Sequence, residues 1–580
     1  MIRRRGAATV LLLLAMAPPA AGAAEPAELP LTPARLRELA HDHHAWWYGE
    51  FPVAATDAGR HDGDGRLADH SPAARQERLR RLEPLERLVA SAATAAWPVD
   101  DRVDREVFLA GLRRALFEEK VLRRWSRDPG FYVEECANAI FSLLKREYAP
   151  RPRRARAALS RLRAMPALLA TARSNLQEGV PLLARLAGES IDSIAPLFND
   201  SLGILLADLS DAERIELAAA RDAALASLRD FGVWLKSARK GMKGPLAIGR
   251  DAYERMLRDV HLLPLDAAAL TAIGEVELAR ARALEAMLPD PTLADTLPPA
   301  GGASASGAAY RALYEEHTAQ LIEHIKTKDL LTLPGYVGPF QILELPAAFG
   351  PTSPGGFMNP PGIFDQDPAG FYFLPRLDPG SGNFYVRAAL SNPLPILGHE
   401  GIPGHFLQLS IANHNTSEIR RLHQDGVFVE GWALYAEEML MRTGLYDTPG
   451  QAAAGEAGKA QVLRLMRYRA ARIPVDVRLA TGEWTFDQAV AYFMEEGGLD
   501  RVAATGEAAG AAVSPGQKMT YMVGKHQIQQ LLGRYRQKKG AAFRLRDFHD
   551  ELLAAGSLPL SLVEWLLVGD DTSFRSASLP

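Results

Sequence analysis

Apolar residues recur at three- and four-residue spacing along most of this chain, and this helical periodicity limits the fold to a mainly α protein. The pattern covers residues 33–50, continues helix after helix from about 71 to 290, and resumes after 394. Aromatic and β-branched runs typical of strands occur at 341–345, 370–374 and 383–387. The expected fold is a large multi-helical protein with a small β element at about 340–390.

The chain of 580 residues has ample material for a large core. Residues 291–308 are rich in Pro, Gly, Ser and Ala, which predicts a connector between an N-terminal helical lobe (24–290) and a second lobe (309–580). We expect the two lobes to form one unit around a cleft. The formal charge of -4 and the pI near 6.4 give no basic surface for nucleic acid, so a neutral or small substrate is favoured.

The N-terminus has the three parts of a signal peptide. Arginines at positions 3–5 precede an apolar run at 7–17, and Ala21-Gly22-Ala23 fits a cleavage site, so residues 1–23 are expected to be removed. The apolar run is shorter than the roughly 20 residues of a membrane span. We therefore expect an exported protein, periplasmic or secreted, with no stable membrane anchor after cleavage.

The only cysteine, Cys136, allows no intrachain disulfide. Its neighbours have helical apolar spacing and include adjacent carboxylates that would oppose a thiolate, so a buried structural role is expected. A second cluster, His41, His43 and His44, lies in the first predicted helix. Because only His41 and His44 are neighbours on a helix, we expect a face packed by the following aromatic residues rather than a metal site.

Residues 397–408 contain His399 and His405, separated by six positions. The familiar zinc-binding helix places its histidines four apart, on one face. Six positions on a regular helix correspond to about 240° of rotation and about 9 Å of rise, which would keep the two imidazoles from sharing an ion. Pro403 and Gly404 lie between them, and they predict an interruption that returns His405 to the side of His399.

A catalytic zinc site needs three protein ligands and one open position. His399, His405 and Glu430 are the predicted ligands of one Zn²⁺ ion. Glu400 is then the general base for a water activated by the metal, although a direct ligand role for Glu400 stays open. Glu437, two helical turns after Glu430, is expected to orient a ligand histidine.

Other residues are candidates for contacts with a substrate. Tyr521 is the first candidate for stabilising an oxyanion and His526 the second, with a packed or surface helix residue as the alternative for each. Arg387, Arg472 and Tyr385 are candidates for substrate binding. For the two arginines, ordinary salt bridges are the alternative.

These motifs resemble those of the bacterial "domain of unknown function 885" family, which is grouped with the gluzincin metallopeptidases. The resemblance spans nearly the whole mature chain. Its segments are 51–59, 399–405 with the following 407–408, 430–437, and 521–524.

The resemblance implies a largely helical protein with zinc at His399, His405 and Glu430 and with Glu400 as catalyst. It implies no substrate, and the six-residue histidine spacing departs from the usual gluzincin motif. We expect an exported zinc metallopeptidase that cleaves peptide bonds. The alternatives are a metal-dependent amidase acting on a non-peptide, cell-wall type substrate, and a non-catalytic peptide-binding protein with a structural metal.

Overall fold

The protein is mainly α-helical with one small sheet, as the periodicity predicts. The structure, a computed structural model, describes residues 30–290, 292–293, 307–345, 356–374, 383–447 and 452–578. The predicted signal peptide (1–23) and most of the predicted connector (291–308) lie outside the described residues. None of the described helices is both long and apolar enough to cross a bilayer.

The helices before the predicted connector are α1 (Pro33–Glu50), α2 (Pro52–Asp57), α3 (Pro72–Ala90), α4 (Val99–Phe117), α5 (Arg124–Arg127), α6 (Gly130–Leu144), α7 (Arg151–Asn175), α8 (Pro181–Ser201), α9 (Asp211–Ala238), α10 (Arg250–Asp259) and α11 (Ala267–Ala286). Those after it are α12 (Gly307–Thr327), α13 (Phe384–Ser391), α14 (Pro393–Glu400), α15 (His405–Ala412), α16 (Glu418–Arg421), α17 (Gly426–Arg442), α18 (Ala452–Thr481), α19 (Phe486–Glu495), α20 (Arg501–Val513), α21 (Thr520–Lys539), α22 (Leu545–Ala554), α23 (Leu560–Val568) and α24 (Thr572–Ser578).

Local capping explains where several helices begin. Thr32 accepts a hydrogen bond from the backbone N–H of Arg35, and Pro33 occupies the first turn, where its missing N–H costs nothing. The first predicted helix, 33–50, is thereby confirmed. Helix α9 begins with a capping box, in which Ser210 and Glu213 satisfy each other's backbone N–H.

The sheet has three strands in the order β1 (Phe340–Glu344), β3 (Gly370–Leu374), β2 (Phe357–Asn359). Strand β1 is parallel to β3 and β2 is antiparallel to it. Two of the three predicted strand runs are confirmed, and β2 was not predicted.

The strand prediction for 383–387 is wrong, because these residues form the start of helix α13. Asn383 accepts hydrogen bonds from the backbone N–H groups of Tyr385 and Val386, and this cap outweighs the aromatic composition of the run. The described β element therefore ends at Leu374 instead of reaching about 390.

Two large hydrophobic cores fill the molecule. The larger core takes residues from both sides of the predicted connector, including Leu112 in α4 and Trp432 in α17. The second core lies mainly among α6–α9 and contains Cys136, which is buried as predicted. Burial raises the pKa of the Cys136 thiol, so it is a core residue rather than a nucleophile.

Candidate metal centre

The predicted interruption between the two histidines is present. Helix α14 ends at Glu400, residues 401–404 form a turn, and α15 begins at His405. The turn brings the imidazole rings of His399 and His405 to 4.7 Å between centroids, with their planes nearly perpendicular. A continuous helix could not produce this approach.

Glycine is required at two positions of this turn. A Cβ atom on Gly404 would lie 1.8 Å from the carbonyl oxygen of His399, and one on Gly401 would lie 2.6 Å from the ring of Phe340 in β1. Phe340 also stacks on Phe406 at 5.0 Å, so the sheet packs directly against the turn. The two glycines allow the end of α14, the start of α15 and the sheet to meet.

Glu430, in the second turn of α17, faces both imidazoles. Its Oε2 atom lies 3.6 Å from Nε2 of His399 and 3.2 Å from Nε2 of His405. Neighbouring ligand atoms of a tetrahedral zinc ion with bonds of about 2.0–2.1 Å are about 3.4 Å apart. Among the described residues, His399, His405 and Glu430 form the one group of histidine, cysteine and carboxylate side chains that could hold a metal ion.

The polar atoms of this group fit a bound cation. Oε2 of Glu430 is buried and has no hydrogen bond of normal geometry, although two imidazole nitrogens face it. A carboxylate oxygen and two nitrogen lone pairs would repel one another without a positive charge between them. A metal ion would supply that charge and satisfy all three atoms.

Glu437 fixes the orientation of His399. Its Oε1 atom lies 2.7 Å from Nδ1 of His399, so Nδ1–H donates to the carboxylate and Nε2 is left to face Glu430. Arg469 in α18 in turn lies 3.1 Å from the same Oε1 atom. The Glu437 carboxylate therefore contacts both His399 and Arg469, and no local motif in the sequence indicates the arginine.

The electrostatics of the group favour positive charge. Burial and the charge of Arg469 act to lower the pKa of His399, but the carboxylates of Glu430 and Glu437 raise it to about 9. Burial would raise the pKa of Glu430, but the imidazoles of His405 and His399 hold it well below its usual range. In the metal-free protein a proton on an imidazole thus provides the charge that a metal ion would otherwise supply.

Helix α17 is tied to the turn and to helix α21. The indole Nε1–H of Trp432 donates a 2.8 Å hydrogen bond to the carbonyl oxygen of Pro403. A Cβ atom on Gly431 would lie 2.5 Å from the backbone of Gly524, so two glycines permit close packing of α17 on α21. The segment from Glu430 to Trp432 therefore contains a candidate metal ligand, a close helix contact at Gly431 and a hydrogen-bond donor to the turn.

The N-terminus of α17 is held by a buried charged cluster that the sequence did not indicate. Asp425 caps the helix by accepting from the backbone N–H of Val427. Its other oxygen lies 2.8 Å from Nδ1 of His261 and 3.3 Å from a guanidinium nitrogen of Arg114. Residues from α4 and the α10–α11 loop thereby fix the helix that presents Glu430.

Tyr521, in the first turn of α21, borders the metal group. Its ring is parallel to that of His399 within 13° at 6.2 Å between centroids, and the guanidinium carbon of Arg472 lies 4.3 Å from the centroid of the same ring. Burial and the negative charge of Glu430 raise the pKa of Tyr521, so the phenol stays protonated and able to donate.

Arg472 and Tyr385 are both engaged by Glu507. The guanidinium of Arg472 makes two 2.9 Å hydrogen bonds to this carboxylate, and the hydroxyl of Tyr385 also donates to it. In the structure both groups are engaged by Glu507, and Arg472 also packs on the ring of Tyr521.

The structure does not bring His526 to the metal group. It lies five positions after Tyr521, about 140° around the helix, and its Nδ1 faces Glu277 at 4.0 Å. Arg387, by contrast, has no ion-pair partner among the described residues, and its Nε–H is buried without a hydrogen bond.

Glu400 is half-buried at the end of α14, next to the candidate ligand His399. Within the described part of the chain its carboxylate has no hydrogen bond or ion pair. Tyr372 of β3 is near it. The pKa of the Tyr372 phenol is raised by burial, by the neighbouring Tyr314 and by the negative charge of Glu400. The Glu400 carboxylate is thus free to accept a proton.

Two solved structures are similar to this chain over almost its whole length. One is a proposed lipoprotein of unknown function from Shewanella oneidensis, with 22% sequence identity, a TM-score of 0.72, and coverage of 93% of this chain and 100% of that chain. The other is a proposed lipoprotein from Colwellia psychrerythraea, with 16% identity, a TM-score of 0.74, and coverage of 94% and 98%. At these identities the similarity shows a shared fold and nothing more.

No curated protein matches this sequence significantly. A family model, described as "Bacterial protein of unknown function (DUF885)", matches residues 52–567. That match includes the turn with both histidines, the helix with Glu430 and the segment around Tyr521. Because it covers far more than half of the chain, the protein belongs to the DUF885 family of bacterial proteins.

Proposed function

We propose that this protein is an exported, zinc-dependent peptidase of the gluzincin type. The observation that carries the proposal is the convergence of two imidazole Nε2 atoms on one buried carboxylate oxygen, at 3.6 and 3.2 Å. Two histidines, one glutamate and an adjacent free glutamate are the parts of a metal-dependent hydrolase.

A zinc ion held by His399, His405 and Glu430 would supply a Lewis acid for activating water and polarising a carbonyl. Glu400, whose carboxylate is free, would accept a proton from the attacking water and pass it to the leaving amine. The protonated phenol of Tyr521, beside Glu430, would donate a hydrogen bond to the oxygen on which negative charge develops.

Peptides are the proposed substrates. The guanidinium of Arg387 has no ion-pair partner in the described part of the chain, and it could take a carboxylate of a peptide. The N-terminal sequence and the two similar structures, both proposed lipoproteins, support a location in the cell envelope or outside the cell.

The proposal is tested by comparing wild type with Glu400→Gln on a library of internally quenched peptides, with and without a chelator. Wild type should cleave peptides, and the chelator should stop cleavage until zinc is restored. Glu400→Gln should bind zinc as wild type does but lose about 10²–10⁴-fold in kcat, because only the proton acceptor is removed. Full activity in Glu400→Gln, or cleavage that is indifferent to the chelator, would contradict the proposal.

A further inference from the structure

Helix α18 presents three buried charged residues on one face. They are Arg469, Arg472 and Asp476, which are 8%, 6% and 0% exposed. Their spacing of three and four residues keeps them within about 60° of one another around the helix axis. A buried charge is costly unless it is paired. Arg469 is paired with Glu437 at 3.1 Å, so this face of the helix begins at the carboxylate that orients His399.

Asp476 holds the turn that leads into helix α21. Its two carboxylate oxygens accept hydrogen bonds from the backbone N–H groups of Gly516 and Met519, at 2.7 and 2.8 Å. Helix α21 begins at Thr520, and Tyr521 is its second residue. The main chain is therefore fixed to α18 immediately before the residue that is the candidate for stabilising an oxyanion.

Arg472, between these two residues, contacts the ring of Tyr521 itself. Its guanidinium carbon lies 4.3 Å from the ring centroid, and the guanidinium carbon of Arg469 lies 6.0 Å from the same point. A guanidinium within about 6 Å of an aromatic centroid is attracted to the ring, and the attraction is stronger where both groups are withdrawn from water. Arg472 is the closer of two buried cations that attract this one ring.

Glu507 fixes the guanidinium of Arg472. The Nε and one Nη of Arg472 each donate a 2.9 Å hydrogen bond to this carboxylate, and such a two-point pair sets the plane of the guanidinium. The hydroxyls of Tyr385 and Tyr468 also donate to Glu507, and the Nζ of Lys518 lies 3.3 Å from it. Burial would raise the pKa of Glu507, but the charges of Arg472 and Lys518 hold it below its usual range. The carboxylate that holds Arg472 therefore stays ionised.

The hydroxyl end of Tyr521 is held less firmly than its ring. The side-chain amide of Gln517 donates to the hydroxyl over 3.4 Å, which is longer than the roughly 2.7–3.2 Å usual for N–H···O hydrogen bonds. A hydroxyl that is to donate to a substrate has to keep its own proton free for that bond. The direction of the hydroxyl therefore depends on the contacts that hold the ring.

We propose that Arg472, held by Glu507, is a positioning residue for Tyr521 and fixes its ring in the orientation from which the hydroxyl donates to the developing oxyanion. This inference rests on the proposed peptidase function and deepens it by adding a pair of residues from α18 and α20. The sequence made Arg472 a candidate for binding the substrate directly. In the role proposed here it acts through Tyr521.

Arg472→Lys removes the planar guanidinium from the ring of Tyr521 but leaves a positive charge for Glu507. Keeping the charge matters, because the loss of one partner from a buried ion pair strands the other and is strongly destabilising. Arg467→Lys is the matched control. Arg467 lies in the same helix, about 140° around the axis from Arg472, and pairs with Glu285 at 2.8 Å.

A double-mutant cycle, measured on a peptide that the zinc-loaded wild type cleaves, separates positioning from a general effect on the fold. Arg472→Lys should lower kcat at least tenfold and leave KM within threefold, because the hydroxyl acts in the transition state. In the Tyr521→Phe background, which lacks the hydroxyl, the same change should lower kcat less than twofold. Arg467→Lys should leave kcat within twofold in both backgrounds. Equal losses from Arg472→Lys in the two backgrounds, or no loss in either, would overturn the inference.

Fluorine NMR separates this inference from the proposed function, because it needs no activity. 3-Fluorotyrosine is incorporated at position 521 of the purified protein, which is dialysed against zinc, and its resonances report the orientations of that ring. We expect one resonance in the otherwise wild-type protein and in Arg467→Lys, and two or more in Arg472→Lys. This result supports the positioning role even if wild type cleaves no peptide, in which case the peptidase proposal alone fails. A single unchanged resonance in Arg472→Lys would overturn the positioning role, and cleavage of peptides by wild type would then keep the peptidase.

Discussion

The indole nitrogen of Trp432 donates a 2.8 Å hydrogen bond to the carbonyl oxygen of Pro403, and this bond joins the helix that carries Glu430 to the turn between the two histidines. Both partners are buried. The bond fixes the third candidate ligand relative to the first two, which no feature within either segment could do.

Trp432→Phe tests this brace. Phenylalanine keeps most of the packing but leaves the Pro403 carbonyl without its donor, so we expect the free energy of unfolding to fall by about 1–3 kcal/mol. Urea unfolding measures the change. Trp234→Phe is the control, because Trp234 stacks on Phe231 and has no hydrogen bond from its indole in the described structure. Equal losses in the two variants would contradict a specific role for the bond.

Gly404→Ala tests the close approach of the two short helices. Its Cβ would lie 1.8 Å from the His399 carbonyl oxygen and 2.5 Å from that of Gly398, so the turn must open. We expect a loss of about 3 kcal/mol or more in the free energy of unfolding. The control is Gly188→Ala in α8, where a Cβ meets nothing within 4 Å and alanine should stabilise the helix by up to about 1 kcal/mol. A Gly404→Ala variant as stable as wild type would show that the turn is not constrained in this way.

Glu437→Gln should weaken zinc binding about 10–100-fold while leaving the fold intact. Glutamine can still accept from Nδ1 of His399, but the negative charge that raises the basicity of this imidazole is lost. Competition with a chromogenic chelator measures the affinity. Glu495→Gln, at an exposed position of α19, is the control. An unchanged zinc affinity in Glu437→Gln would show that the charge of Glu437 does not strengthen zinc binding through His399.

The burial of His423 predicts that the protein loses stability in acid. The pKa of His423 is about 3 in the folded protein and about 6.5 when unfolded, so the unfolded chain binds a proton that the folded chain does not. Stability is then lost as pH falls below about 6.5, by about 2 kcal/mol at pH 5 for this group. His423→Phe lacks the group, so its stability should decline less between pH 7 and 5. Parallel pH profiles for the variant and wild type would contradict the prediction.

The sequence predicted those parts of the site that depend on neighbouring residues. Pro403 and Gly404 indicated the interruption because their effect on a helix is local. Arg469 lies 32 positions from Glu437, and Glu507 lies 35 positions from Arg472. No spacing rule marks such partners, since they meet only after α17, α18 and α20 have packed together.

The errors in secondary structure have a similar origin. Tyr385 and its aromatic neighbour suggested a strand, but the side chain of Asn383 satisfies the first N–H groups of a helix there. Strand β2 has only three residues, and its pairing with β3 makes it a strand. A run this short has no periodicity of its own to detect.

The metal content of the purified protein shows whether His399, His405 and Glu430 hold one ion, without depending on an assay of activity. Zinc should be measured by mass spectrometry in purified wild type, His405→Ala and Glu400→Gln, all dialysed against the same buffered zinc. We expect one zinc ion per chain in wild type and in Glu400→Gln, and none in His405→Ala. A wild-type protein without metal, or a His405→Ala variant that keeps the full amount, would contradict it.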